Sequence, residues 1–264
     1  MKENSRFKQE ITWEEKANGN PLFAVMSDNI FLNKDKNITK EDLSLFYSKG
    51  QLLWNRYFSD LINNLINRDD ITIVEFGCGM GRILSVPASL GFNCIGIDIS
   101  ETQLDLAKKH FPTKENTTFI QSIPKSQFNI EEESVDLIYS FAVFQHIKNV
   151  SDVLYSLDEL VRILKRGGIM RIQFRCPNKF FYQLNSFGFN SINFEKSTIL
   201  FYFKKLFKIP IPIIRYVQHD NWSGAGCYIS YSRMMKYFLK RNFKVLNISF
   251  ETTDQKIIWL TVQK

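Results

Sequence analysis

Residues 71–85 read ITIVEFGCGMGRILS, and this stretch decides the fold class. Ile71 to Val74 form a short apolar run suited to a buried strand, and Glu75 stands at its end. Gly77, Gly79 and Gly81 follow at alternate positions, and the chain then resumes in apolar residues. A strand feeding a glycine-rich turn is how α/β proteins bring their backbone against a nucleotide-like ligand. Glycine allows it because it takes positive φ and leaves room for close approach. The spacing then narrows the ligand. Dinucleotide turns carry GxGxxG, whereas here the glycines alternate and an acid stands two residues before the first. A carboxylate at that position opposes a pyrophosphate and suits a cationic ligand.

A second acid supports this reading. NCIGIDIS (93–100) reads as another buried strand ending at Asp98, 19 residues after Gly79. A carboxylate there can accept from both hydroxyls of a ribose.

Working outward, residues 38–66 have helical periodicity, with Thr39 followed by Glu41 and Asp42 as the start. A helix is expected from the glycine turn through Leu90, and an amphipathic one over 101–110 with Leu104 and Ala107 on one face. Strands are expected at 117–121 and 135–141, then a helix over 151–168 stopped by Gly167-Gly168, and a fifth strand at 169–175. Residues 232–242 return to helix, and FKVLNISFE and KIIWLTVQ, separated by TTDQ, read as a terminal antiparallel hairpin. Short alternation of strand and helix predicts an α/β fold: a parallel sheet with right-handed crossovers and helices on both faces.

Composition sets outer bounds. The chain has 264 residues, 44% of them hydrophobic, which suits one large domain or a core domain with additions. The N-terminus is polar and charged, and no run of 18 apolar residues occurs, so neither export nor a transmembrane segment is expected. Cys78, Cys94, Cys176 and Cys227 form no CxxC pair, which fits reduced thiols in a cytoplasmic protein rather than disulfides or zinc. No metal site is read, since the three histidines stand far apart. Residues 171–217 hold eight Lys or Arg against Glu195 alone, which equals the whole net charge of +7. Such a surface suits an anionic partner, or is the solvated face of a lysine-rich protein.

The pattern Glu75-x-Gly77-x-Gly79-x-Gly81, with Asp98 beyond it, resembles motif I of the class I S-adenosylmethionine-dependent methyltransferases. The resemblance covers roughly residues 40–175 and 230–264 and leans to the small-molecule members of quinone and sugar pathways. It implies a doubly wound, Rossmann-like seven-stranded sheet with an antiparallel last strand. It also implies an N-terminal helical lid (1–66), a core (67–264), and a substrate-recognition insert after strand five (176–229). The cofactor implied is S-adenosyl-L-methionine, with S-adenosyl-L-homocysteine as product. Glu75 would face the methionine amino group, and Asp98 would hold the ribose. Gly77, Cys78, Gly79, Gly81 and Arg82 would form the cradle. Ile99 would also bind the cofactor, and Ser122 and Ile123 would lie along the adenine, although members often carry an acid in the QSIP stretch (121–124) and this chain does not. Tyr47 and Gly50, and with them Trp13, would belong to the lid or pack as ordinary core.

The methyl acceptor is less sharply marked. In VDLIYSFAVFQHIKN (135–149), Ser140 and Phe141 would face the donor. The stretch holds neither an Asn/Asp-Pro-Pro-Tyr/Phe motif nor a Pro-Cys nucleophile, so nucleic-acid bases are not the expected acceptor. His146 is the candidate base, or it shapes the turn through a backbone contact. Gln145, Arg175, Arg215, His219, Trp222 and Tyr228 are candidate substrate contacts; Gly224 and Gly226 of the same loop also serve turning alone. His110 ends a helix beside Lys108 and Lys109 as a solvated residue. The expected reaction is methyl transfer to oxygen or nitrogen of a small polar, anionic acceptor, such as a phosphorylated metabolite or a nucleotide-linked sugar. Three alternatives remain open: an RNA or protein methyltransferase docking through 171–217, an insert that lies on a membrane surface or forms a homodimer contact, and a non-catalytic nucleotide-binding protein. The glycine spacing disfavours a nicotinamide oxidoreductase.

Overall fold

The structure, a computed structural model, describes residues 13–26, 29–31, 37–63, 65, 68–113, 115–123, 126–176, 191–193, 216–217, 226–227, 229–251 and 257–264. The chain forms two units, residues 1–139 and 140–264. In the first, β1 (Thr72–Phe76), β2 (Asn93–Asp98), β3 (Thr117–Gln121) and β4 (Val135–Ser140) are parallel in the order β3-β2-β1-β4. Ile73, Val74, Leu137 and Ile138 are wholly buried, as in a parallel sheet covered on both faces.

The helices of this unit are α1 (residues 13–19), α2 (Pro21–Val25), α3 (Lys40–Tyr57), α4 (Ser85–Ser89) and α5 (Glu101–His110). α3 begins at the expected place. Asp42 N donates to Thr39 Oγ1 and Thr39 N donates to Asp42 Oδ2, each at 3.1 Å, a reciprocal capping box. It ends at Tyr57 rather than near residue 66, and a 3₁₀ turn, Ser59–Ile62, follows. Phe58 leaves helical geometry (φ −134°, ψ −17°), and its buried ring lies 6.0 Å from that of Trp54 and 4.6 Å from that of Tyr139. The helix after the glycine turn is also shorter than expected. Gly79 and Gly81 take φ of +53° and +76°, and regular helix begins only at Ser85.

In the second unit, α6 (Val150–Ile163) leads directly into β5 (Leu164–Arg175). Gly167-Gly168 therefore lies inside a strand and does not stop a helix. The C-terminus explains this: Gly167 N donates to Lys264 O at 2.8 Å, and Lys264 N donates to Gly168 O at 3.1 Å. β6 (Ser191–Asn193) and the short pair β7 (Tyr216–Val217) and β8 (Gly226–Cys227) are the strands described within the expected insert. α7 (Tyr231–Leu239) precedes the hairpin β9 (Lys244–Phe250) and β10 (Ile257–Gln263). β10 is antiparallel to both β5 and β9, giving the order β5-β10-β9-β6. Among the described residues, no helix is long and apolar enough to cross a membrane.

Candidate functional site

The first unit gathers a site around the tips of β1 and β2. These strands pair in register, with Glu75 opposite Gly96. Gly77 N and Cys78 N both donate to the Ile97 carbonyl, at 2.7 and 3.0 Å, which folds the turn back over β2. Gly79 N donates to Asp98 Oδ2 at 2.7 Å, and Ser100 N donates to Asp98 Oδ1 at 3.0 Å. The two acids and the glycines that the sequence singled out thus meet at one turn. Burial pushes the Asp98 carboxyl up, and the backbone donors of Ser100, Gly79 and Ile99 oppose it.

Glu75 is 3% exposed, and its Oε2 accepts from Tyr139 Oη at 3.2 Å. Burial pushes its pKa up to about 8, against the Arg82 guanidinium, the Tyr139 hydroxyl and the Leu84 amide, while Asp98 adds to the rise. Arg82 is itself pushed down to about 10 by burial, with Glu75 opposing. Its guanidinium donates to the Val25 carbonyl at 3.3 Å and lies 5.7 Å from the Phe46 ring. A cationic group brought beside this carboxyl would draw its pKa back down and favour the ionised form.

α3 closes one side of the turn. Tyr47 Oη donates to the Met80 carbonyl at 3.3 Å, and the ring packs edge-on against Phe46 and Phe111. A Cβ on Gly50 would stand 1.9 Å from the Arg82 carbonyl oxygen, so helix and turn meet backbone to backbone. On the other side, Ser122 N donates to the Asp98 carbonyl at 2.7 Å, and Gln121 Nε2 to the Ile99 carbonyl at 3.3 Å. Ile123, which follows, is 57% exposed.

Three participants carry no local signal in the sequence. The Glu14 carboxylate accepts from Ser100 Oγ at 2.7 Å, from Thr102 N at 3.2 Å and from Thr102 Oγ1, and so caps α5 from 86 to 88 residues away. Burial raises its pKa, and these donors together bring it below the ordinary value. Val25 packs on the turn, its Cγ1 2.6 Å from where a Cβ on Gly79 would stand. Gln103 Nε2 donates to the Pro21 carbonyl at 2.9 Å. Residues 13–26 therefore form a strap beside the turn, and Trp13 lies in it with the Lys16 ammonium 4.5 Å from its ring.

The second unit holds the remaining described candidates. Ser140 is wholly buried, and the Phe141 ring stacks on Trp259 at 5.9 Å. Ala142 N donates to Gln173 Oε1 at 3.0 Å, leading into a 3₁₀ turn, Phe144–His146. The Gln145 amide nitrogen lies 3.2 Å from His146 Nε2. Arg175 ends β5, and its carbonyl accepts from Ile229 N at 3.0 Å. Arg215, His219, Trp222 and Tyr228 lie outside the described residues.

Residues 74–172, which include the turn and both acids, match the family model described as "Methyltransferase domain". Over these residues the chain resembles the class I S-adenosylmethionine-dependent methyltransferases. Its sequence is similar to a ubiquinone biosynthesis O-methyltransferase of Bartonella tribocorum, 28% identical over 107 residues, 40% of this chain and 42% of that protein. It is also similar to a ubiquinone/menaquinone biosynthesis C-methyltransferase of Campylobacter jejuni, 26% identical over 128 residues, 46% of this chain and 52% of that one. The methyltransferase match thus spans about half the length of these relatives. In fold, the domain resembles magnesium protoporphyrin IX methyltransferase from Synechocystis, solved with S-adenosylhomocysteine bound: TM-score 0.55, 15% identity, covering 97% of this chain and 99% of that one. A methyltransferase described as S-adenosylmethionine-dependent from Listeria monocytogenes gives 0.54 at 17% identity, over 82% and 99%. These likenesses confirm the doubly wound α/β fold with its antiparallel last strand.

The cradle of the methyltransferase domain fits that cofactor. Glu75 offers a buried carboxyl to a cationic end, and Asp98 a carboxylate held by backbone amides. Gln103 adds a buried Oε1 without a donor among the described residues.

Proposed function

We propose that the chain transfers the methyl group of S-adenosylmethionine to an oxygen or nitrogen of a small polar, anionic acceptor. The observation that carries this reading is the pair of carboxyls, Glu75 and Asp98, on neighbouring parallel strands around a turn whose three glycines all take positive φ. S-adenosylmethionine supplies an activated methyl on a sulfonium, so the protein's task is mainly alignment, which can lower a barrier by about 7–11 kcal/mol. Glu75 would take the ammonium end and Asp98 the ribose hydroxyls, with Tyr47 and the strap beside the turn.

A hydroxyl acceptor must also lose a proton. In this reading His146 takes it, with the Gln145 side chain 3.2 Å from its Nε2. The relatives' names, O- and C-methyltransferases of quinone biosynthesis, support a small-molecule acceptor over a polynucleotide. The anionic character of the acceptor rests on the basic surplus of residues 171–217, to which Arg175 and Arg215 belong. A cytoplasmic enzyme belongs to the same reading, which rests on the four cysteines forming no CxxC pair.

The test is calorimetry with S-adenosylmethionine and S-adenosylhomocysteine, followed by transfer of labelled methyl to phosphorylated, nucleotide-linked and phenolic acceptors. Asp98→Ala should weaken donor affinity by about 1.5–3 kcal/mol, the worth of a hydrogen bond to a charged group. Unchanged affinity would refute the ribose assignment. His146→Ala should slow transfer to a hydroxyl by about 10² to 10⁴ and leave an already ionised acceptor nearly unaffected. Equal loss on both acceptors would assign His146 a structural role.

A further inference from the structure

Gln103 lies in the first turn of α5, 3% exposed, and its amide faces two elements at once. Nε2 donates to the Pro21 carbonyl at 2.9 Å. A carbonyl oxygen only accepts, so this bond fixes which end of the amide is nitrogen. Oε1 is therefore turned the other way, and no donor among the described residues reaches it. It stands 3.7 Å from the position of a Cβ on Gly79, beside the Val25 methyl. The backbone amide of that residue, Gly79 N, is already committed to Asp98 Oδ2. A buried amide oxygen without a donor is destabilising, and such groups are rare in folded proteins. At the face of a ligand-cradling turn, it marks a place where a ligand supplies the missing N–H or O–H.

Resting on the methyl-donor reading above, we propose that Gln103 is a donor-binding residue that also couples the donor to the strap. Its amide oxygen accepts from an N–H or O–H of the bound donor, while its amide nitrogen holds the Pro21 carbonyl. The two bonds polarise one amide group, so each strengthens the other. The donor thereby tightens residues 13–26, which are otherwise tied by Glu14 to α5 and by the Val25 carbonyl to Arg82. Cofactor occupancy and strap order become one linked equilibrium.

The experiment combines calorimetry with S-adenosylhomocysteine and hydrogen exchange of residues 13–26 in the full chain, with and without that ligand. In the wild type the ligand should slow exchange in the strap. Gln103→Met keeps length and burial but removes both hydrogen bonds. It should bind about tenfold more weakly, and the ligand should no longer slow strap exchange. Gln103→Asn keeps an amide but is one methylene shorter, so it cannot span Pro21 and the ligand at once, and it should lose affinity and ligand-dependent strap protection together. It carries the test if Gln103→Met disturbs exchange in β1. Wild-type affinity and wild-type strap protection in these variants would overturn this inference alone. A folded wild type that binds no S-adenosylhomocysteine would instead remove the methyl-donor reading.

Discussion

Glu75 illustrates what burial does to one residue. Its pKa stands at about 8, against 4.5 for an ordinary glutamate, because desolvation outweighs Arg82, Tyr139 and the Leu84 amide. The native chain therefore holds a proton that the unfolded chain releases above pH 4.5. Across that window the unfolded state binds fewer protons, so stability falls as pH rises, by about 1.4 kcal/mol per unit. Below the lower value both states are protonated, above the upper both are ionised, and the slope vanishes. Glu75→Gln should abolish this component. Between pH 5.5 and 7.5, wild-type unfolding energy should fall by roughly 2–3 kcal/mol more than that of the variant, measured by denaturant titration. Parallel pH profiles would refute a protonated Glu75. Glu75, Asp98 and the three glycines were readable because each lies within five residues of a strand end. Glu14 and Gln103 were not. Glu14 meets its partners across 86 to 88 residues, and no periodicity records such a pairing.

Among the elements, α3 shows how a neighbour reverses a local preference. Alanine is favoured over glycine inside a helix by about 1 kcal/mol. At Gly50, however, the added Cβ would lie 1.9 Å from a backbone oxygen of the glycine turn, which cannot swing away as a side chain does. Gly50→Ala should therefore destabilise by about 3 kcal/mol and weaken cofactor binding with it. Gly19→Ala is the control: nothing stands within 4 Å of its Cβ, and it should be neutral or stabilise by up to about 1 kcal/mol. At the start of the same helix, Thr39→Ala removes half of the capping box and should cost about 1 kcal/mol in chemical denaturation. The starts of α3, α5 and α7 were legible because Thr39, Ser100 and Ser230 cap them by local hydrogen bonds. The ends of α3 and α6 were not. Phe58 leaves α3 to bury its ring against Tyr139, and α6 yields to β5 at Leu164 because the C-terminal strand supplies hydrogen-bond partners.

For the whole molecule, the methyl-donor reading has a thermodynamic consequence. A ligand that binds only the native state at a hundred times its dissociation constant stabilises by about 2.7 kcal/mol. For a chain of this size S-adenosylhomocysteine should raise the melting temperature by roughly 5–10 °C, whereas adenosine alone, lacking the ammonium for Glu75, should raise it much less at equal concentration. Equal shifts would assign Glu75 no part in binding. At this scale the sequence by itself determined the α/β class, the glycine turn, the two acids beside it and the terminal hairpin. All of these follow from short-range pattern, where burial period, φ preference and capping are properties of adjacent residues. Only the tertiary structure decided that Glu75 lies away from water under Tyr139, that helix α3 touches the turn at Gly50, and that a strap beginning at Trp13 is held by Glu14 and Gln103. Those outcomes depend on which distant surfaces exclude water from one another, and distance along the chain carries no information about that.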